Sequence, residues 1–167
     1  MCMPSVIIRP INVNDVSRIV DLEMKYLGET IGTDMLISES TNPTIKFLAI
    51  EKNNYLLGYI GCYHILGECE ILNFVIDASF QRNGYGQMLF DELLKQVDAK
   101  RVILDVRVNN EKGLNFYIKN GFKQISIRKN YYLDGTDALV MEKIIGENWY
   151  ERKNSKNISN RIKLWWN

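Results

Sequence analysis

Apolar residues recur with a period near two in some stretches of the chain and at three- and four-residue spacing in others, which divides it into strands and helices. Residues 6–9 read as a short strand stopped by Pro10, and Asn14 or Asp15 then caps a helix with the apolar stripe Val16, Ile19, Val20, Met24 and Leu27. Residues 34–39 form a second, short helix in a stretch broken up by Gly32 and Pro43. The runs 45–51 and 55–64 are β-rich and meet at Asn53-Asn54, which tolerate a tight turn. Residues 70–77 follow through a link tightened by Gly67, so three neighbouring antiparallel strands are predicted. In 84–97, Leu89, Phe90, Leu93, Leu94 and Val97 share one helical face. The β-branched-rich run 101–108 can then lie parallel to the previous strand through a right-handed crossover. Asn110 caps a short helix with Leu114, Tyr117 and Ile118 inward, and Gly121 stands where a left-handed cap is wanted. Residues 122–132 and 139–145 close as a hairpin through Asp134-Gly135. The order is α/β with a single mixed sheet, and no repeat period is present.

Composition narrows the class. The 167 residues, 46% hydrophobic and 25% charged, suit one compact domain, predicted over 1–145, and exclude a mainly disordered chain. Lys and Arg number 21 against 20 Asp and Glu, a net charge of +1, so no global field steers the chain onto DNA or acidic lipid. Cys2, Cys62 and Cys69 have no metal-like spacing and His64 stands alone, so neither a metal nor a disulfide framework is expected. The cysteines and His64 read as packing residues, and a nucleophilic Cys62 would need His64, on the same strand face, as its base. With no signal-like start and no run of about 18 apolar residues, a cytoplasmic location is expected.

The segment 146–167 differs in composition, carrying Trp149, Trp165 and Trp166. Within 151–167, five basic residues (Arg152, Lys153, Lys156, Arg161, Lys163) face one acid, Glu151, a local excess of four positive charges. It reads as a basic tail, either contacting an acidic partner such as ribosomal RNA or a membrane surface, or folded back as a short helix or frayed end.

Chemistry concentrates where Asn73-Phe74-Val75-Ile76-Asp77 runs into Gln81-Arg82-Asn83-Gly84-Tyr85-Gly86 and then directly into an amphipathic helix. Glycines allow close backbone approach, and the first amides of the helix face outward with a positive dipole end behind them, an arrangement suited to a pyrophosphate. A dinucleotide fingerprint would need glycine at Leu89, and the triphosphatase loop would need Gly-Lys-Ser or Gly-Lys-Thr; neither is present.

These residues resemble the acetyl-coenzyme A signature of the GNAT N-acetyltransferases, in the pattern Gln81-Arg82-x-Gly84-x-Gly86 after a strand. The likeness continues through 104–110, 115–122, 128–132 and 137–141, where the chain is similar to the bacterial ribosomal-protein alanine N-acetyltransferases within that family. It spans about 70–143 and implies the GNAT fold: a mixed, mostly antiparallel sheet with a splayed parallel strand pair and flanking helices. It also implies acetyl-coenzyme A as co-substrate. Phe74, Val75 and Ile76 would offer backbone groups to the pantetheine arm and acetyl carbonyl, Arg82, Asn83, Gly84, Tyr85, Gly86 and Gln87 would hold the pyrophosphate, and Asn110 would bind further along. An unpaired strand end can pair with such an arm as with a further strand, and an amide near Val75 can stabilise an oxyanion.

The resemblance implies direct attack of a neutral amine on the thioester. The base falls at Asp105, where the family has glutamate, and the acid that protonates the thiolate at Tyr117. Asp105 is one methylene shorter than glutamate, which favours relay through a water. Alternatively it pairs with Arg107 two residues on, and Tyr117 is core packing. Tyr131, Tyr132 and Asp137, on the closing hairpin, would flank the acceptor, or the tyrosines are ordinary strand aromatics. Glu23, Tyr26 and 28–42 stand where the family's other acceptor wall lies. The expected acceptor is a protein N-terminal amine, that of a ribosomal protein. A polyamine or aminoglycoside acetyltransferase and a non-catalytic acyl-coenzyme A sensor are the alternatives.

Overall fold

A computed structural model describes residues 5–38 and 41–146; Cys2 and the tryptophan-bearing basic tail lie outside the described residues. In chain order the elements are β1 (Val6–Pro10), α1 (Val16–Tyr26), α2 (Thr33–Ile37), β2 (Ile45–Lys52), β3 (Tyr55–Ile65), β4 (Glu68–Ile76), α3 (Tyr85–Gln96), β5 (Arg101–Arg107), α4 (Glu111–Lys119), β6 (Lys123–Arg128) and β7 (Ala138–Ile144). The seven strands form one sheet in the order β1-β2-β3-β4-β5-β7-β6. As the pattern predicted, β2, β3 and β4 form an antiparallel meander, and β4 pairs with β5 in parallel across the α3 crossover.

Each face of the sheet is covered by one helix pair. Leu89, Phe90 and Leu93 of α3 and Tyr117 of α4 pack on Leu57, Ile60, Val102, Leu104 and Val106. On the other face, Val16, Ile19 and Leu22 of α1 and Leu36 of α2 pack on Phe47, Tyr59 and Val75. Full burial of a Leu, Ile or Phe contributes about 1.5–3 kcal/mol, so both layers hold the sheet firmly.

Two irregularities make a site in the middle of it. The β4–β5 ladder runs only from Glu68 opposite Arg101 to Ile71 opposite Leu104; beyond Ile71 the strands diverge, and β5 is paired by β7 alone. At the same place β4 bulges, for Ile71 stands opposite Cys62 and Asn73 opposite Gly61, leaving Leu72 as the extra residue. The bulge shifts the side-chain phase by one. Glu70 therefore lies on the α1 face before it, and Asn73 and Val75 lie on that same face after it, while Phe74 and Ile76 turn to the α3 face.

Several expectations are corrected. Asp15 stands at the N-cap of α1, one of the two expected positions, but its side chain makes no cap bond there; the cap bonds form one turn earlier, where the Asn12 side chain accepts from the Asn14 amide at 2.9 Å and Asp15 accepts from the Asn12 amide at 2.7 Å. Met24 is exposed and Glu23 fully buried, because three donors satisfy the Glu23 carboxylate and allow an acid on the inward stripe. Ile118 faces solvent while Tyr117 fills the core, since α4 covers the sheet through a narrow stripe. The strand expected over 122–132 ends at Arg128, which puts Tyr131 and Tyr132 in the connection to β7 rather than in a strand.

Candidate active site

The opened strands expose main chain. The Asp77 amide donates to the Leu57 carbonyl at 2.8 Å, so Val75, two residues back and opposite Tyr59, also turns its amide and carbonyl to β3. Phe74 and Ile76, in the alternate phase, turn theirs away from β3, and the Ile76 carbonyl accepts from Gln81 Nε2 at 3.0 Å. Of the three residues expected to offer backbone groups, Phe74 and Ile76 thus stand in the phase that faces the gap and Val75 in the phase that faces β3. The Phe74 ring meanwhile packs against Phe90 and Phe116, so core packing and backbone exposure coexist in one residue.

The turn between β4 and α3 ends in a left-handed helix cap. Gly84 caps α3 with φ +80°, a left-handed conformation that costs a side-chain-bearing residue about 1–2 kcal/mol. A Cβ on Gly86 would stand 3.4 Å from the Phe74 ring and 3.6 Å from Ile76, ordinary van der Waals contact, so packing at this point does not by itself demand glycine. Asn83 steadies the turn by donating to the Phe80 and Gln81 carbonyls, both at 3.1 Å. The Tyr85 hydroxyl accepts from Lys52 Nζ at 3.1 Å, and Gln87 exchanges hydrogen bonds with Asn120 at 2.8 and 3.0 Å, tying α3 to the end of α4. Arg82 is exposed with φ +65°. Ahead of the turn, Asp77 is nearly buried, accepting from Arg18 Nη2 at 2.5 Å, the Tyr26 hydroxyl at 2.9 Å and the Ser79 amide at 3.1 Å. Burial would raise its pKa, but these donors outweigh it and hold the carboxyl below its usual range. Asn110 is used as a cap, its side chain accepting from the Gly113 amide at 3.0 Å. A diphosphate-bearing thioester fits this ground, with open main chain at Phe74 and at the Ile76 amide, the Ile76 carbonyl being taken by Gln81 Nε2 at 3.0 Å, and a glycine-capped helix start beyond.

Tyr117 lies on the α3 side of the gap with its ring edge-on to Phe116 at 5.5 Å and Phe122 at 5.4 Å. Its hydroxyl has no hydrogen-bond partner among the described residues. Burial, with a smaller effect of Tyr132, pushes its pKa up, so the proton is held until a basic atom approaches.

Asp105 lies on the opposite face. It accepts from Arg128 Nε at 3.0 Å, so the expected pairing with Arg107 does not form: Arg107 turns to Asp134, and β7 between β5 and β6 lets Arg128 reach over. Beside Asp105 stands Glu70, a residue the sequence pattern did not single out. Its carboxyl is pushed up from the ordinary 4.5 by burial first and the Asp105 charge second, with Arg128 opposing. Strand alternation reads Glu70 as a solvent-facing acid, and only the parallel pairing with β5 brings the two carboxylates together. Tyr131 and Tyr132 meet edge-on at 5.1 Å; Arg128 lies 5.3 Å over the first ring and Arg107 3.9 Å over the second. Tyr132 is pushed up to about 12 by burial and then by Asp105, with Arg107 opposing. Asp137 faces its own loop, accepting from Lys129 Nζ at 2.7 Å and the Asn130 amide at 2.9 Å, which hold its carboxyl low.

Two residues placed at the acceptor wall are otherwise engaged. Glu23 is buried beneath the bulge and accepts from the Tyr59 and Thr30 hydroxyls and from Asn73 Nδ2 at 2.5 Å. Tyr26 donates to Asp77 and accepts from the Ala78 amide at 3.1 Å.

Comparison with known proteins agrees with this geometry. The sequence profile of the acetyltransferase (GNAT) family matches residues 16–122. A Bacillus subtilis protein provisionally assigned as a ribosomal protein bS18-alanine N-acetyltransferase is 34% identical over 145 residues, covering 84% of this chain and 96% of that protein. Among solved structures, Ard1 from Thermoplasma volcanium superposes with a TM-score of 0.74 at 28% identity, covering 85% of this chain and 99% of the other. The ribosomal-protein-S18-alanine N-acetyltransferase of Escherichia coli shares the fold, with a TM-score of 0.73 at 23% identity over 87% of this chain and 99% of its own.

Proposed function

The chain belongs to the GNAT acetyltransferase family, and on that premise we propose that it carries the acetyl group of acetyl-coenzyme A to the α-amine of a protein N-terminus, that of a ribosomal protein. It is an acetyl-coenzyme A-dependent N-acetyltransferase; the acceptor and the residue roles are our reading. Residues 1–145 form the transferase unit and 146–167 an appended basic segment. The reaction takes place in the cytoplasm, where ribosomal proteins are made.

The observation that carries this reading is the disposition of groups about the splayed strands: two carboxylates, Asp105 and Glu70, on one face and the buried Tyr117 on the other. Acetyl-coenzyme A supplies an activated acyl thioester. The Phe74 and Ile76 main chain binds along the gap and offers amide hydrogens where negative charge develops. The turn ending at Gly84 and the first amides of α3 hold the diphosphate. On the acceptor side, the carboxylate pair attracts an ammonium and takes its proton. An α-amine, with a pKa of about 7.7–8.0 against about 10.4 for lysine, gives up that proton readily at neutral pH. Glu70, with its raised pKa, is the better proton acceptor of the two, and Asp105, anchored by Arg128, keeps it so. Tyr117 then delivers a proton to the departing thiolate.

The B. subtilis relative supports a ribosomal acceptor by the activity assigned to it. The test is release of free thiol from acetyl-coenzyme A by the full-length protein. A peptide copying the N-terminus of B. subtilis bS18 is the expected acceptor, and spermidine or an aminoglycoside is not. Turnover with spermidine alone would replace the protein acceptor with a small amine, and no acceptor-dependent thiol with any of them would point to a sensor.

A further inference from the structure

We propose that Arg107 is a positioning residue that straps the two walls of the acceptor slot together and so sets the geometry in which the amine meets the carboxylates; this rests on the acceptor reading above. Arg107 is the last residue of β5, two positions beyond Asp105 and on its face. One guanidinium nitrogen, Nη1, donates to both carboxylate oxygens of Asp134, at 3.0 and 2.8 Å. The other, Nη2, donates to the Leu27 carbonyl at 3.5 Å and stands 3.8 Å from the Glu29 carboxylate. The plane of the group covers the Tyr132 ring at 3.9 Å.

One side chain thus joins the segment that follows α1 to the turn before β7. The two walls are 80 and 27 residues away from it in sequence, and the group is only 21% exposed. The Asp134 end is itself fixed, for that carboxylate also accepts from the Thr136 amide at 2.9 Å. These bonds hold its pKa down to about 2, the Thr136 amide contributing most and Arg107 less. Such bridging needs the planar, multi-donor fork of arginine; an ammonium makes a point contact and cannot span both walls. The strap touches neither the diphosphate turn nor Tyr117 and reaches Tyr117 only through the Tyr132 ring it covers, so its main effect falls on the acceptor.

Arg107→Met is compared with the native protein in two ways. In steady-state kinetics at saturating acetyl-coenzyme A, KM for the bS18 peptide rises about tenfold or more while kcat stays within about twofold and acetyl-coenzyme A affinity by calorimetry is unchanged. In backbone hydrogen exchange, protection falls together in 27–32 and in 131–136 but not in 81–86. Arg107→Lys restores the charge without recovering either signature, and Asp134→Asn, which removes one anchor from an exposed turn, gives both in weaker form. A kcat loss at unchanged KM, or exchange rising in one wall only, overturns the strap. Should the native protein release no thiol with any peptide, the acceptor reading fails, and the exchange pattern still decides whether the walls are coupled.

Discussion

On the α3 side of the splayed strands, the groups offered are the main chain of Phe74 and Ile76 and the amides behind Gly84, held in place by apolar packing. On the α1 side they are charged side chains: Asp105, Glu70, Arg128, Arg107, Glu29 and Asp134, each placed by another. The contrast separates two kinds of robustness. Backbone geometry survives most side-chain changes and fails only where conformation is forced. A charge network fails one member at a time and depends on pH.

The largest effect comes from removing a single atom on the α3 side. Tyr117→Phe lowers kcat about a hundredfold with acetyl-coenzyme A affinity unchanged by calorimetry; native turnover in this variant would leave Tyr117 a packing residue. On the α1 side, Glu70→Gln lowers kcat/KM about tenfold and removes the acid limb of its pH profile, which in the native protein lies above the ordinary glutamate range because burial and Asp105 raise that pKa. Asp105→Asn moves that limb to lower pH, since one of the two causes of the shift is gone. If both variants keep the native profile, neither carboxylate is the base.

A conformational change on the α3 side is gentler. Gly84→Ala costs about 1–2 kcal/mol from forcing a Cβ into φ +80°, read as a lower Tm and weaker acetyl-coenzyme A binding with the acceptor KM unaltered. A rise in acceptor KM instead would show that the two sides are not separable. The smallest effect is on stability. A glutamate whose pKa is raised in the folded state gives stability that is full below its unfolded pKa and fades as pH rises through the folded one. Glu70→Gln is therefore more stable than the native protein at neutral pH, and the margin narrows toward pH 4, followed by thermal melting across pH.

The stretch from the end of β4 into α3 was legible because its requirements are local. The left-handed cap at Gly84 and the run of helix-start amides depend on residues within a few positions of one another. The apolar periods likewise placed the meander, the crossover and Tyr117 on its inward face. Residues 122–132 misled in part, since the pattern does not mark where pairing with β7 stops, and Tyr131 and Tyr132 fell outside the strand.

The order of periods along the chain was enough for the sheet and its crossover, and the local chemistry of one turn for a left-handed helix start after β4, because burial and φ/ψ preferences act over a few residues. Only the tertiary structure decided which acids meet. Glu70 and Asp105 become neighbours through parallel pairing that ends at Ile71 and Leu104, Arg128 reaches Asp105 over an intervening strand, and Arg107 chooses Asp134 over the carboxylate two residues away. Charge interactions act through space, and a bulge of one residue at Leu72 is enough to exchange which side chains share a face.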